Sequence, residues 1–166
     1  GDGYTLFKLG SINNTSSCSA SGYGDYTNLS TTLEQGNTTN LTVKSGYSNQ
    51  VSTVWIDYND NFTFESSERV IINKPFGTAQ TNIPFPIGAT ATLGVHLLRA
   101  RTNWSSSGNA SITDPCVNIS YGETEDYMVE IVPNTGSNID EKYAKVKFFV
   151  ADLGEGLFQI NLEGLD

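Results

Sequence analysis

Apolar and polar residues alternate along this chain in short runs, the two-residue period that turns one face of a strand toward a core. The alternation predicts strands over residues 4–9, 40–44, 51–56, 69–72, 95–101 and 127–132. Turn formers stand between them, among them Gly36-Asn37, Ser45-Gly46 and Lys74-Pro75-Phe76-Gly77. No apolar stripe at helical spacing lasts ten residues. Short strands separated by turn signals predict an all-β fold, an antiparallel β-sandwich of Ig-like or jelly-roll-like plan, with a barrel as the second architecture. Trp55, inside the 51–56 run, is expected in the core.

Composition sharpens this picture. Asn, Thr and Ser contribute 16, 18 and 17 of the 166 residues. Their side chains compete for backbone hydrogen bonds and favour turns and short strands, which excludes a helical bundle. The character changes after Val132. Residues 1–132 read as one sandwich domain, 133–141 as a polar, turn-rich linker, and 142–166 as a strand-forming extension that either packs on the first domain or begins another module. Its strand-like runs are 146–150 and 157–162.

Eighteen acidic against nine basic residues give a net charge of −9. No Lys/Arg run is present to neutralise a row of phosphates, so nucleic acid and anionic membrane are poor partners and a cation is a better one. With no run of 18 apolar residues, no membrane insertion is expected. The start, Gly1-Asp2-Gly3-Tyr4, reads as a mature or trimmed chain. Cys18 and Cys116 have neither CxxC spacing nor a His cluster to suggest zinc, and are read as one disulfide in an oxidising compartment, the alternative being two buried free thiols.

Two acidic clusters stand out. In the first, oxygen side chains fall at positions 1, 3, 5, 9 and 12 of a loop, as Asp57, Asn59, Asn61, Glu65 and Glu68, with the Thr63 carbonyl at position 7. That is the spacing of a calcium loop, and calcium is the cofactor it suggests, with Asp57, Asn59, Asn61, Thr63 and Glu68 as ligands. Phe62 stands at position 6, where such loops carry Gly, and a Cβ there is expected to resist the turn. The second reading is a turn-rich loop whose carboxylates cap backbone donors. The other cluster, Glu123-Thr124-Glu125-Asp126, enters the strand that continues to Val132, and pairing with Arg99 and Arg101 through Glu125 or Asp126 is the structural reading of it.

Catalytic patterns are weak. The single His96 lies inside a strand pattern, no Gly-x-Ser-x-Gly elbow exists, and a carboxylate pair drawn from Asp57, Glu68 and Glu125 is the one arrangement left to three-dimensional proximity. No enzyme is expected. For binding, Trp104 is expected in a polar loop, where a ring is hard to bury, and Tyr58 and Tyr26 are further ring-bearing candidates for a ligand surface.

Val54-Trp55-Ile56-Asp57-Tyr58-Asn59 with its acidic loop ending in Glu68, then Leu98-Arg99-Ala100-Arg101, Asp114-Pro115-Cys116 and Gly122-Glu123-Thr124-Glu125-Asp126-Tyr127, together resemble the GEVED domain, over roughly residues 4–132. Thr124 stands for the Val of the signature, and Asn61-Phe62 for the Asp-Gly usual in the loop. The resemblance implies a secreted or cell-surface bacterial module attached to larger exported proteins. The expected function is a non-catalytic extracellular accessory module with covalently linked neighbours, binding an extracellular polysaccharide, glycoprotein or protein surface. The alternative is a structural spacer or secretion-coupled domain without a ligand.

Overall fold

The computed structural model describes residues 2–19, 21–108, 110–137, 147–154 and 157–163. These divide into two compact units, Gly1–Asn134 and Thr135–Asp166. The first is a two-sheet sandwich. Its strands are β1 (Tyr4–Leu9), β2 (Ile12–Asn14), β3 (Tyr23–Glu34), β4 (Thr38–Ser45), β5 (Gln50–Ile56), β6 (Arg69–Phe76), β7 (Thr81–Pro86), β8 (Gly94–Trp104) and β9 (Gly122–Val132). One sheet runs β2-β1-β4-β7 and the other β3-β9-β8-β5-β6. Neither closes, so the barrel is not realised.

Among the described residues, all pairings in this unit are antiparallel except one: β3 lies parallel to β9. The sandwich is therefore mixed rather than purely antiparallel. β3, at a sheet edge where one flank meets solvent, carries polar residues along most of its length, whereas β7 does alternate, with Ile83 and Phe85 inward, but has prolines rather than polar residues between and after them. These prolines, Pro84 and Pro86, cannot donate to a ladder and suit an edge position.

Between the sheets lies the main core. Tyr4, Phe7, Leu9, Leu41, Val43, Ile83 and Phe85 of the first sheet meet Val54, Ile56, Leu98, Ala100, Tyr127, Val129 and Ile131 of the second. Phe7 stacks on Tyr127 with ring centroids 4.5 Å apart, and Tyr26 stacks on Tyr127 at 5.6 Å. Such pairs add to the area-driven gain of burying rings. A smaller cluster, Val51, Trp55, Phe64 and Ile112, covers the outer face of the second sheet. That second cover explains why all seven residues of β5 are buried, Trp55 included.

In the second unit, β10 (Lys147–Gly154) pairs antiparallel with β11 (Leu157–Glu163), with an irregularity in register between Asp152 and Gly154. The end of the expected linker, 138–141, and the start of the extension, 142–146, lie outside the described residues.

Candidate functional site

The residues of the second acidic cluster form the first stretch of β9, and strand periodicity sorts them onto two faces. Glu123, Glu125 and Tyr127 face the other sheet, while Thr124 and Asp126 face outward. Gly122 opens the strand where an added Cβ would stand 2.1 Å from the Thr102 carbonyl oxygen, so only glycine fits the β8–β9 ladder there.

On the inner face the carboxylates hold the N-terminal segment. Glu123 accepts the Tyr4 N–H at 3.0 Å and the Ser19 N–H at 2.6 Å. Gly3 admits it, since a Cβ there would meet Glu123 Oε2 at 1.9 Å. Glu125 accepts the Tyr127 hydroxyl at 2.7 Å and the Ser16 hydroxyl at 3.2 Å, and Asn14 donates to the Tyr127 oxygen at 2.9 Å. Burial pushes the Glu125 carboxyl up to about 8, against which the Tyr127 hydrogen bond works in the opposite direction.

On the outer face Asp126 receives Arg99 in a two-pronged contact, Nε to Oδ1 at 2.8 Å and Nη2 to Oδ2 at 2.7 Å. Tyr23 donates its hydroxyl to the same carboxylate at 3.0 Å, and burial followed by the Asp126 charge raises that phenol to about 12. The Arg99 guanidinium also lies over the Phe64 ring, 4.8 Å from its centroid. Arg101 donates to Thr124 Oγ1 at 2.9 Å and to the carbonyls of Asp114 and Val117. The two arginines thus pin residues 114–117 to the sheet. Pairing of Arg99 with Asp126 is as expected, but Glu125 does not join it, nor does Glu123, because both side chains point to the opposite face.

Cys18 and Cys116 are both free and exposed, so the expected disulfide is not formed, nor are the thiols buried. Each has a partner of its own. Arg99 Nη1 reaches Cys116 Sγ at 3.5 Å, and the Cys18 thiol lies 3.9 Å from the Ser19 carbonyl oxygen.

The 57–68 loop spends its carboxylates on backbone donors. Asp57 accepts the N–H of Asn61 at 3.2 Å and of Phe62 at 2.8 Å. Glu68 accepts those of Tyr58 at 2.9 Å and Glu65 at 3.0 Å. Asn61 Oδ1 accepts the Thr63 N–H at 2.7 Å, while the Asn59 and Asn61 amides donate to Glu65. Burial holds Glu68 above the ordinary carboxylate range, and the Asn61 hydrogen bond holds Glu65 below it. Among the described residues no group of three or more His, Cys, Asp or Glu side chains is placed to hold a metal ion. The Phe62 expectation fails in an informative way. Phe62 adopts φ 62°, the left-handed turn it was expected to resist, with its ring 85% exposed. The two N–H bonds that the Asp57 carboxylate accepts from Asn61 and Phe62 support that turn, and Asp60, two residues before, also has positive φ. His96, nearly fully buried, ties the loop down: Nδ1 is 2.9 Å from Asp60 Oδ1 and Nε2 is 3.0 Å from the Thr92 carbonyl oxygen.

The three aromatic candidates do not share a surface. The Tyr26 ring is committed to the core against Tyr127. Tyr58 is half-buried, edge-on to His96 at 5.8 Å, and burial raises its phenol to about 12. Trp104 is not in a loop as expected but is the last residue of β8, paired with Gln50 of β5, half-buried and edge-on to Tyr121 at 5.6 Å. The Asp57 N–H bonds the Leu97 carbonyl, and the seven strand steps from Leu97 to Trp104 span about 23 Å. Sequence reasoning missed the inner-face partners Tyr4, Asn14, Ser16 and Ser19, which carry no local signal of their role.

Residues 51–130, from β5 into β9, match the family model of the GEVED domain. The match is shorter than the 4–132 suggested by the motifs, leaving β1 to β4 outside it. No curated protein matches the chain. Among solved structures, a family 123 glycoside hydrolase from Clostridium perfringens is similar at 13% identity and a TM-score of 0.32, over 63% of this chain and 23% of that one. The chain thus spans about a quarter of that enzyme's length.

Proposed function

We propose that this chain, whose residues 51–130 are a GEVED domain, is a non-catalytic extracellular accessory module of a larger secreted protein that binds a polysaccharide, glycoprotein or protein surface. The carrying observation is that the signature residues are consumed inside the fold. Glu123 and Glu125 hold the N-terminal segment, and Asp126 holds Arg99, which leaves them as scaffold rather than as reacting groups. Asp57 and Glu68, the other acids of a conceivable catalytic pair, are engaged with backbone donors. Binding is then left to surface side chains carried by this scaffold, and rigid rings at its loops supply contact area at low entropy cost. Trp104 with Tyr121 is the ring pair best placed for this. A screen of the purified protein on glycan and extracellular-matrix arrays tests the proposal. Saturable binding to one class of surface is expected, and no binding to any would return the chain to the spacer reading.

A calcium role for the 57–68 loop requires one further rearrangement, since Glu68 must leave the Tyr58 and Glu65 N–H groups before it can turn to a cation. A ligand that binds only the folded state raises its stability with ligand concentration. After metal removal at low pH, melting curves in millimolar calcium and in excess chelator are expected to coincide. A calcium-dependent rise in Tm would show that Glu68 does turn inward and that the left-handed Phe62 turn serves an ion.

A further inference from the structure

At the end of the sandwich that carries Trp104, a groove of about 380 Å³ is lined by Asn49, Gln50, Phe76, Gly77, Thr78 and Thr81 among others, with no charged side chain among its described lining residues. Gln50 is 1% exposed, and its amide nitrogen donates to Asp2 at 3.2 Å. That bond fixes which way the amide points, and its Oε1 is buried with no hydrogen-bond partner. A buried carbonyl without a donor costs free energy that a ligand hydroxyl would recover. We infer that this groove is a binding site for a neutral sugar unit of a polysaccharide or glycan, with Gln50 Oε1 accepting a sugar hydroxyl. The inference rests on the binding-module reading above and names its ligand and place.

The lining matches that chemistry. Thr78 and Thr81 hydroxyls and the Asn49 amide both donate and accept, as sugar hydroxyls do, while Pro75 and Phe76 offer an apolar floor to C–H faces. An acidic sugar would find no cation in the lining. An extended peptide is disfavoured because β7, the edge strand beginning at Thr81, carries Pro84 and Pro86 and so lacks the unbroken row of donors that strand addition uses. Two rings stand near. Tyr47, 56% exposed, belongs to the loop whose Ser48 lies against Gly77, and Trp104 is the ladder partner of Gln50 across β5 and β8. Direct partners in such a ladder have Cβ atoms about 5 Å apart, so the Trp104 indole reports on events at Gln50. The other tryptophan, Trp55, is buried in the small outer cluster and serves as an internal reference.

The test is titration of the full chain with cellohexaose, mannohexaose, xylohexaose and laminarihexaose, read by calorimetry and by tryptophan emission, beside polygalacturonate as the acidic counterpart. At least one neutral hexasaccharide is expected to bind and to shift the Trp104 emission. Gln50→Met removes the orphan oxygen at nearly constant volume, and Thr78→Arg fills the rim from an exposed position. Each is expected to weaken binding at least tenfold with an unchanged or higher Tm. Equal binding by the parent and both variants would overturn the groove while leaving the module reading intact. So would binding of polygalacturonate or a matrix protein with no response to any neutral sugar. Absence of binding to every sugar and every array surface would overturn both.

Discussion

Raising the pH from about 5 to 8 should destabilise the sandwich by several kcal/mol, and Glu125→Gln should abolish most of that loss. Glu125 is fully buried, and its carboxyl is raised to about 8 from an ordinary 4.5, chiefly by burial. A carboxyl raised in the folded state favours folding in its neutral form. Its contribution is complete below about 4.5 and is lost as pH climbs through about 8. Each unit of difference between the folded and unfolded states corresponds to about 1.4 kcal/mol, so the full excursion costs about 4–5 kcal/mol. Glutamine keeps the shape and remains neutral, with an oxygen for the Tyr127 hydroxyl and an amide for the Ser16 oxygen. Urea denaturation at pH 5 should therefore give similar stabilities for the two proteins, and at pH 8.5 the variant should be the more stable by several kcal/mol. Parallel stability profiles would mean that Glu125 ionises without penalty, with water reaching it.

Why this carboxylate was misplaced by the sequence shows where pattern reading stops. Alternation in β1, β4, β8 and β9 located strands that bury one face in the main core, and a predicted run also fell on β5, although all seven of its residues are buried. It passed over β2, only three residues long, β3, whose edge position relaxes that requirement, and β7, where Pro84 and Pro86 take the outward positions that polar residues would mark. The partnership of Arg99 with β9 was readable from charge and spacing alone. The choice between Glu125 and Asp126 was not, because it turns on register: Arg99 pairs with Asp126 across the β8–β9 ladder, and a one-residue slip would have exchanged the faces. The disulfide expectation came from counting thiols, which carries no distance, and the Arg99 contact to Cys116 was invisible to it. At Phe62 the rule that a Cβ disfavours a left-handed turn was applied without the compensating bonds to Asp57, which appear only once the loop is closed. Gln50 drew no attention because an amide in a strand of apolar residues has no signature until its oxygen is found without a donor.

That register has a large and specific energetic consequence. Asp126→Ala should destabilise the sandwich by about 3–5 kcal/mol, because it leaves the Arg99 guanidinium, with 19% side-chain exposure, without its counter-charge. Arg99→Ala should cost a comparable amount by stranding Asp126, whose side chain is 4% exposed and keeps only the Tyr23 hydroxyl. The double variant should lose much less than the sum, giving a coupling energy of order 1–3 kcal/mol in a double-mutant cycle. Two control cycles carry the discrimination. Arg99 with Glu125 should show little coupling, because the sheet separates them. Arg101 with Asp126 should couple weakly, since Arg101 gives its hydrogen bonds to Thr124 and to the carbonyls of Asp114 and Val117 rather than to a carboxylate. Its removal should instead release residues 114–117, detectable as faster hydrogen exchange at the Cys116 and Val117 amides, which now bond the Asp114 carboxylate. A strong Arg99–Glu125 coupling, or an additive Arg99–Asp126 pair, would contradict the two-faced arrangement of the signature strand and with it the assignment of these residues to the scaffold.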